Sequence, residues 1–124
     1  EREGSIRAIL NYGHTFGHAI ESLTDYSVYT HGEAVSIGMV MAASMAERMG
    51  MLSQDDKADI TNLLESVNLP TKKPDLNSND FLESMKRDKK AQDGEIRLIL
   101  LESIGRAIIS NDYPNEILME TISE

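Results

Sequence analysis

Apolar positions recur along most of this chain at helical spacing. With each residue given about 100° of rotation and Arg7 as origin, Ile9, Phe16, Ile20 and Leu23 fall between about 160° and 220°. That stripe predicts an amphipathic helix from about Ser5 to Thr24, with Ser5 as N-cap and one face toward a core. Asp25 to Thr30 is a polar break. A second helix is expected to start near His31 or Gly32, run to about Met49 and end at Gly50. Its interior, Ala34 to Ala43, is apolar on nearly all sides, the pattern of a buried helix. Ala34, Gly38 and Ala42 sit four apart and allow close helix–helix approach. A third helix begins at Ser53, with Asp56 three residues on as a weak capping box, and runs through Ile60, Leu63 and Leu64 to about Val67. Asn68 to Asn77 is a proline-punctuated loop. Ser78 or Asn79 then caps a short helix carrying Phe81, Leu82 and Met85.

Around Asp93-Gly94, a turn signal, the pattern changes. Glu95 to Leu101 and Gly105 to Ile109 are short β-like runs that read as a small hairpin. Pro114 to Ile122 closes the chain as a short helix. The predicted fold is mainly α, a single helical bundle domain over residues 1–124 with one small β-hairpin. The Met-rich stretch (Met39, Met41, Met45, Met49, Met51) reads as core packing. Lys72-Lys73 reads as a solvated loop.

Composition narrows the function classes. The chain has 124 residues and a net charge of −9, from 12 Lys+Arg and 21 Asp+Glu. That charge argues against a phosphate-backbone binder, so no nucleic-acid partner is expected. There is no cysteine, which excludes disulfide frameworks, thiolate metal sites and cysteine nucleophiles. No apolar run approaches the ~18–20 residues of a membrane span; the expected location is cytoplasmic. The sequence opens at Glu1 inside a charged run, which reads as an interior start, so a site could be only half present here.

The opposite face of the first helix carries different chemistry. Arg7, Asn11, His14 and His18 fall within a band of about 60°, with Glu3 on its edge. Such a row is ordinarily the solvated side of a helix. Two features set this one apart: its centre lacks the Glu, Asp and Lys used on other solvated faces, and all three histidines, His14, His18 and His31, lie within 18 residues. Gly13 and Gly17 each precede a histidine, and glycine in a helix interior costs about 1 kcal/mol. Their repetition points to close approach by a ligand or another backbone. His14 and His18 could chelate one divalent ion from one helix face, and His31 could add another imidazole. Spacing does not decide which histidines ligate; one left over is a candidate general acid/base. Arg7 and Asn11 suit substrate binding.

The run Arg7-Ala8-Ile9-Leu10-Asn11-Tyr12-Gly13-His14-Thr15-Phe16-Gly17-His18-Ala19-Ile20-Glu21, followed by His31-Gly32-Glu33-Ala34-Val35-Ser36-Ile37-Gly38-Met39, strongly resembles the signature of the 3-dehydroquinate synthases. Asp88-Lys89-Lys90 and the Arg97–Leu101 to Ile104-Gly105 stretch are similar to the same family. The resemblance is to the C-terminal, metal- and substrate-binding half of a two-domain α/β + α enzyme, without its N-terminal NAD-binding domain. It implies a carbon–oxygen lyase acting on phosphate in the shikimate pathway, toward chorismate and the aromatic amino acids. The family converts 3-deoxy-D-arabino-heptulosonate 7-phosphate to 3-dehydroquinate and phosphate, with catalytic NAD and a divalent metal, zinc or cobalt.

Carried over residue by residue, the resemblance makes His14 and His31 metal ligands, with a third, glutamate ligand outside this chain. His18 becomes a proton-transfer residue, which sets aside the His14–His18 chelate. Glu3 takes a proton-accepting role, Arg7, Asn11 and Lys89 bind substrate, and Lys90 is the rival of Lys89. Glu21 and Glu33 lie near the site as surface or supporting residues. The family implies a homodimer and a small phosphorylated keto-acid as partner. This half alone is expected to fold and to catalyse nothing. The alternatives are another sugar-phosphate cyclase, deoxy-inosose or valiolone synthase-like, and a non-catalytic helical interaction module.

Overall fold

The computed structural model describes residues 14–25, 27–91, 98–103, 106–110 and 114–123, with His14, residues 88–91 and the two strands described by their backbone. The order is α1 (His14–Leu23), α2 (His31–Arg48), α3 (Gln54–Ser66), α4 (Ser78–Ala91), β1 (Leu98–Ser103), β2 (Arg106–Ser110) and α5 (Asn115–Ser123). The fold is mainly helical. The expected Ser5 cap, Gly13 and the Asp93-Gly94 turn lie outside the described residues.

Helix α2 is the centre. Helices α1, α3 and α5 pack on it, β1 runs beside it, and α4 closes the far side against α1 and α5. Its all-round apolar sequence is the reason: Ala34, Ile37, Gly38 and every residue from Met41 to Ala46 are buried. The apolar stripe of α1 delivers Phe16 and Ile20 to the same core, both fully buried. Phe16 meets Phe81 of α4 with ring centroids 6.4 Å apart and planes tilted by 48°. Met41 and Met45 are buried, and Met39, Met49 and Met51 pack on the core's edge. Ser36, buried among them, donates to the Pro70 carbonyl at 2.7 Å, so the loop satisfies a hydroxyl that would otherwise be costly to bury.

The helix ends follow local chemistry. Thr30 caps α2 through a full capping box: its hydroxyl accepts from the Glu33 N–H, and the Glu33 carboxylate accepts from the Thr30 N–H at 2.8 Å. This Thr-x-x-Glu signal stands in the sequence and sets the helix start at His31, the first of the two expected positions. At the other end Gly50 has φ +78°. Its N–H donates to the Glu47 carbonyl, and that of Met51 to the Ala46 carbonyl, a Schellman motif with glycine one place beyond the C-cap Met49. Helix α3 ends the same way with Asn68, at φ +65°, in the glycine's place.

Ser53 caps α3, accepting from the Asp56 N–H. Helix α4 is capped by Asn77, whose Oδ1 accepts from the Asp80 N–H at 3.0 Å, one residue before the expected Ser78 or Asn79. Ser78 instead shares a hydroxyl hydrogen bond with Ser123 of α5. Helix α4 is also longer than its apolar residues indicated and takes in Asp88, Lys89 and Lys90. Strands β1 and β2 pair antiparallel, Ile99 opposite Ile109 and Leu100 opposite Ile108, with an irregularity between Leu101 and Ser103. Strand β1 continues through Glu102 and Ser103, which the sequence pattern placed in the connection.

Candidate functional site

The crossing of α1 and α2 positions His31. At Gly17 the two backbones come so close that a Cβ would lie 3.0 Å from the Ala34 carbonyl oxygen and 3.1 Å from the Val35 Cα. Of the two readings of this glycine, close approach to another backbone is therefore the correct one. One turn beyond Gly17 on α1 is Glu21; one turn before Ala34 on α2 is His31. The crossing thus brings Glu21 and His31 together. Nδ1 of His31 lies 3.1 and 3.3 Å from the two Glu21 carboxylate oxygens. The carboxylate is largely buried, with its side chain 11% exposed, and the imidazole is 61% exposed. An ionised carboxylate only accepts, so the contact is a hydrogen bond when Nδ1 carries the proton.

His18 is exposed on α1. His14 opens the described part of that helix, seven residues and about two turns before Glu21. Lys89 lies on the last turns of α4, a helix packed against α1. Glu3, Arg7 and Asn11 lie outside the described residues. Among the described residues no three His, Cys, Asp or Glu side chains gather closely enough to hold a metal. The donor chemistry of the pair nevertheless fits a metal site: ligating histidines characteristically give their second ring N–H to a carboxylate. A cavity of about 300 Å³ opens farther along α2, lined by residues including Val40, Ser44, Lys57 and Lys73, with no histidine among its described lining residues.

A family model described as 3-dehydroquinate synthase C-terminal matches residues 1–91. The chain belongs to this family. It is 48% identical over 122 residues to the 3-dehydroquinate synthase of Acidithiobacillus ferrooxidans, an alignment covering 98% of this chain and 34% of that protein. The chain thus spans about a third of the length of the curated relatives it matches. Among solved structures it is similar to 2-epi-5-epi-valiolone synthase from Streptomyces hygroscopicus, determined with NAD+ and Zn2+ bound. That match has TM-score 0.80 and 23% identity over 90% of this chain and 31% of the other, a likeness of fold. It is also similar to 2-deoxy-scyllo-inosose synthase complexed with carbaglucose-6-phosphate, NAD+ and Co2+. There the TM-score is 0.69 and the identity 29%, over 91% of this chain and 34% of that one. Among the described residues no helix is long and apolar enough to cross a membrane.

Sequence reasoning makes Glu21 a surface or supporting residue. In the structure it is buried, and its partner is ten residues away. The signal that could have found it is a glutamate one turn past Gly17, on the side of the helix that meets α2.

Proposed function

We propose that this chain is the metal- and substrate-binding half of a 3-dehydroquinate synthase. In this reading the protein converts 3-deoxy-D-arabino-heptulosonate 7-phosphate to 3-dehydroquinate and phosphate, and a separate N-terminal domain holds NAD. The observation that carries the reading is 48% identity across 98% of the chain to an enzyme of that name. The single helical domain over 1–124, the two strands as arms of one hairpin, a homodimer and a cytoplasmic location belong to the same reading.

His14 and His31 hold the metal, together with a glutamate from outside this chain. A bound zinc or cobalt ion supplies Lewis acidity that lowers the pKa of the substrate hydroxyl to be oxidised. His31 stands where α1 and α2 lock together, so its ring is carried by two core helices rather than by a loop. His18, exposed on α1, is free of the tight helix crossing and moves protons at the substrate. Glu3 accepts a proton. Arg7 and Lys89 bind the substrate's anionic groups and Asn11 its hydroxyls. Oxidation beside the carbon that loses its proton acidifies that proton, so phosphate elimination needs only modest help from a base. Much of the work is orientation.

The test is phosphate release from the heptulosonate phosphate by the intact protein, with NAD and zinc or cobalt, alongside His14→Ala and His31→Ala. Metal-dependent release should fall by at least about 100-fold in either variant. Folded, metal-loaded protein that releases no phosphate would move the assignment to another sugar-phosphate cyclase.

A further inference from the structure

Glu21 is an anomaly of packing. It lies on α1 one turn after Gly17, where the helix meets α2, and it is buried. A leucine or methionine at such a position would add apolar contact. A buried carboxylate instead carries a desolvation cost that only good partners offset. Among the described residues the carboxylate has one such partner, the His31 Nδ1 at 3.1 and 3.3 Å. That partner is itself mostly exposed.

We propose that Glu21 is a positioning residue for His31: its carboxylate holds the ring as the Nδ1–H tautomer, so that Nε2 supplies the lone pair for the metal. Both oxygens lie within reach of one nitrogen, which fixes the ring's orientation as well as its tautomer. The electron-rich carboxylate also raises the basicity of the ligating nitrogen. A neutral imidazole presents its lone pair from one nitrogen only, so the tautomer decides which edge of His31 can ligate. The inference rests on the reading of His31 as a metal ligand.

The decisive variants are Glu21→Met, which keeps volume and helix propensity but removes the acceptor, and Glu21→Gln, whose amide oxygen can still accept from Nδ1–H. Two readouts apply to the intact protein. The first is the His31 tautomer in metal-free protein, read from the 15N shifts of the ring about two pH units above the ordinary histidine pKa of about 6.5. The second is zinc affinity, by competition with a chromophoric chelator. The wild type should show Nδ1 protonated, and Glu21→Met should lose that preference and bind zinc about 10- to 100-fold more weakly. Glu21→Gln should keep the tautomer and recover most of the affinity. A wild-type His31 protonated on Nε2, or a folded Glu21→Met that binds zinc as tightly as wild type, overturns the proposal. Wild-type protein that binds no zinc removes the metal reading itself, and the tautomer measurement still judges the Glu21–His31 pairing.

Discussion

Two glycines near the site carry opposite consequences. At Gly17 a methyl group would meet the Ala34 carbonyl oxygen at 3.0 Å, and backbone cannot swing aside as the end of a long side chain can. Gly17→Ala should therefore push α1 from α2 and cost about 1–3 kcal/mol, the range for overpacking. Gly32 has open space where its Cβ would be and sits in the first turn of α2. Gly32→Ala should be neutral or stabilising by up to about 1 kcal/mol, since alanine has the better helix propensity. Thermal or urea unfolding of the two variants checks both signs. A Gly17→Ala protein as stable as wild type would show that the helix crossing has slack.

At the scale of the element, α2 and α3 end by one device with different residues. Both chains turn through a left-handed residue, Gly50 in one and Asn68 in the other. Glycine takes that conformation without a Cβ clash, and asparagine tolerates it at some cost. A Cβ at Gly50 would meet nothing within 4 Å, so the penalty of Gly50→Ala is backbone strain alone, about 1 kcal/mol. Asn68→Gly removes strain at an exposed position and should stabilise by a few tenths to about 1 kcal/mol. Equilibrium unfolding of the two single variants should give shifts of opposite sign.

For the whole molecule, α2 is the shared neighbour of α1, α3 and α5, while α4 reaches the core mainly through Phe81 and Met85. Phe81 is fully buried against Phe16, and α1, which carries Phe16, also carries His14 and His18. Phe81→Ala should cost about 3–5 kcal/mol, a large part of the roughly 5–15 kcal/mol that holds a typical domain. The loss should appear as a drop in unfolding midpoint. Helix α4 also holds Lys89, so under the proposed substrate role of that lysine, substrate affinity should fall with it. Arg48 ties the C-terminal end of α2 to α5, donating to the Thr121 hydroxyl at 3.1 Å, so the last helix is anchored to the same hub.

The helical architecture is written in the chain, because burial of an apolar stripe leaves a 3.6-residue trace. Phe16, Ile20, Ile37 and Met45 are legible as core for that reason, and so are the Gly50 stop and the Ser53 cap, whose chemistry is local. The sequence also marks Arg7, Asn11, His14 and His18 as an unusual set at helical spacing; of these the structure describes His14 and His18, both on α1. The row does not reveal how the helices meet. Three-dimensional packing was needed to learn that Gly17 serves a backbone contact, that Ser78 pairs with Ser123 of α5, and that Glu21 faces His31. Each of these depends on what another segment places nearby, and spacing along one helix holds no record of its neighbour.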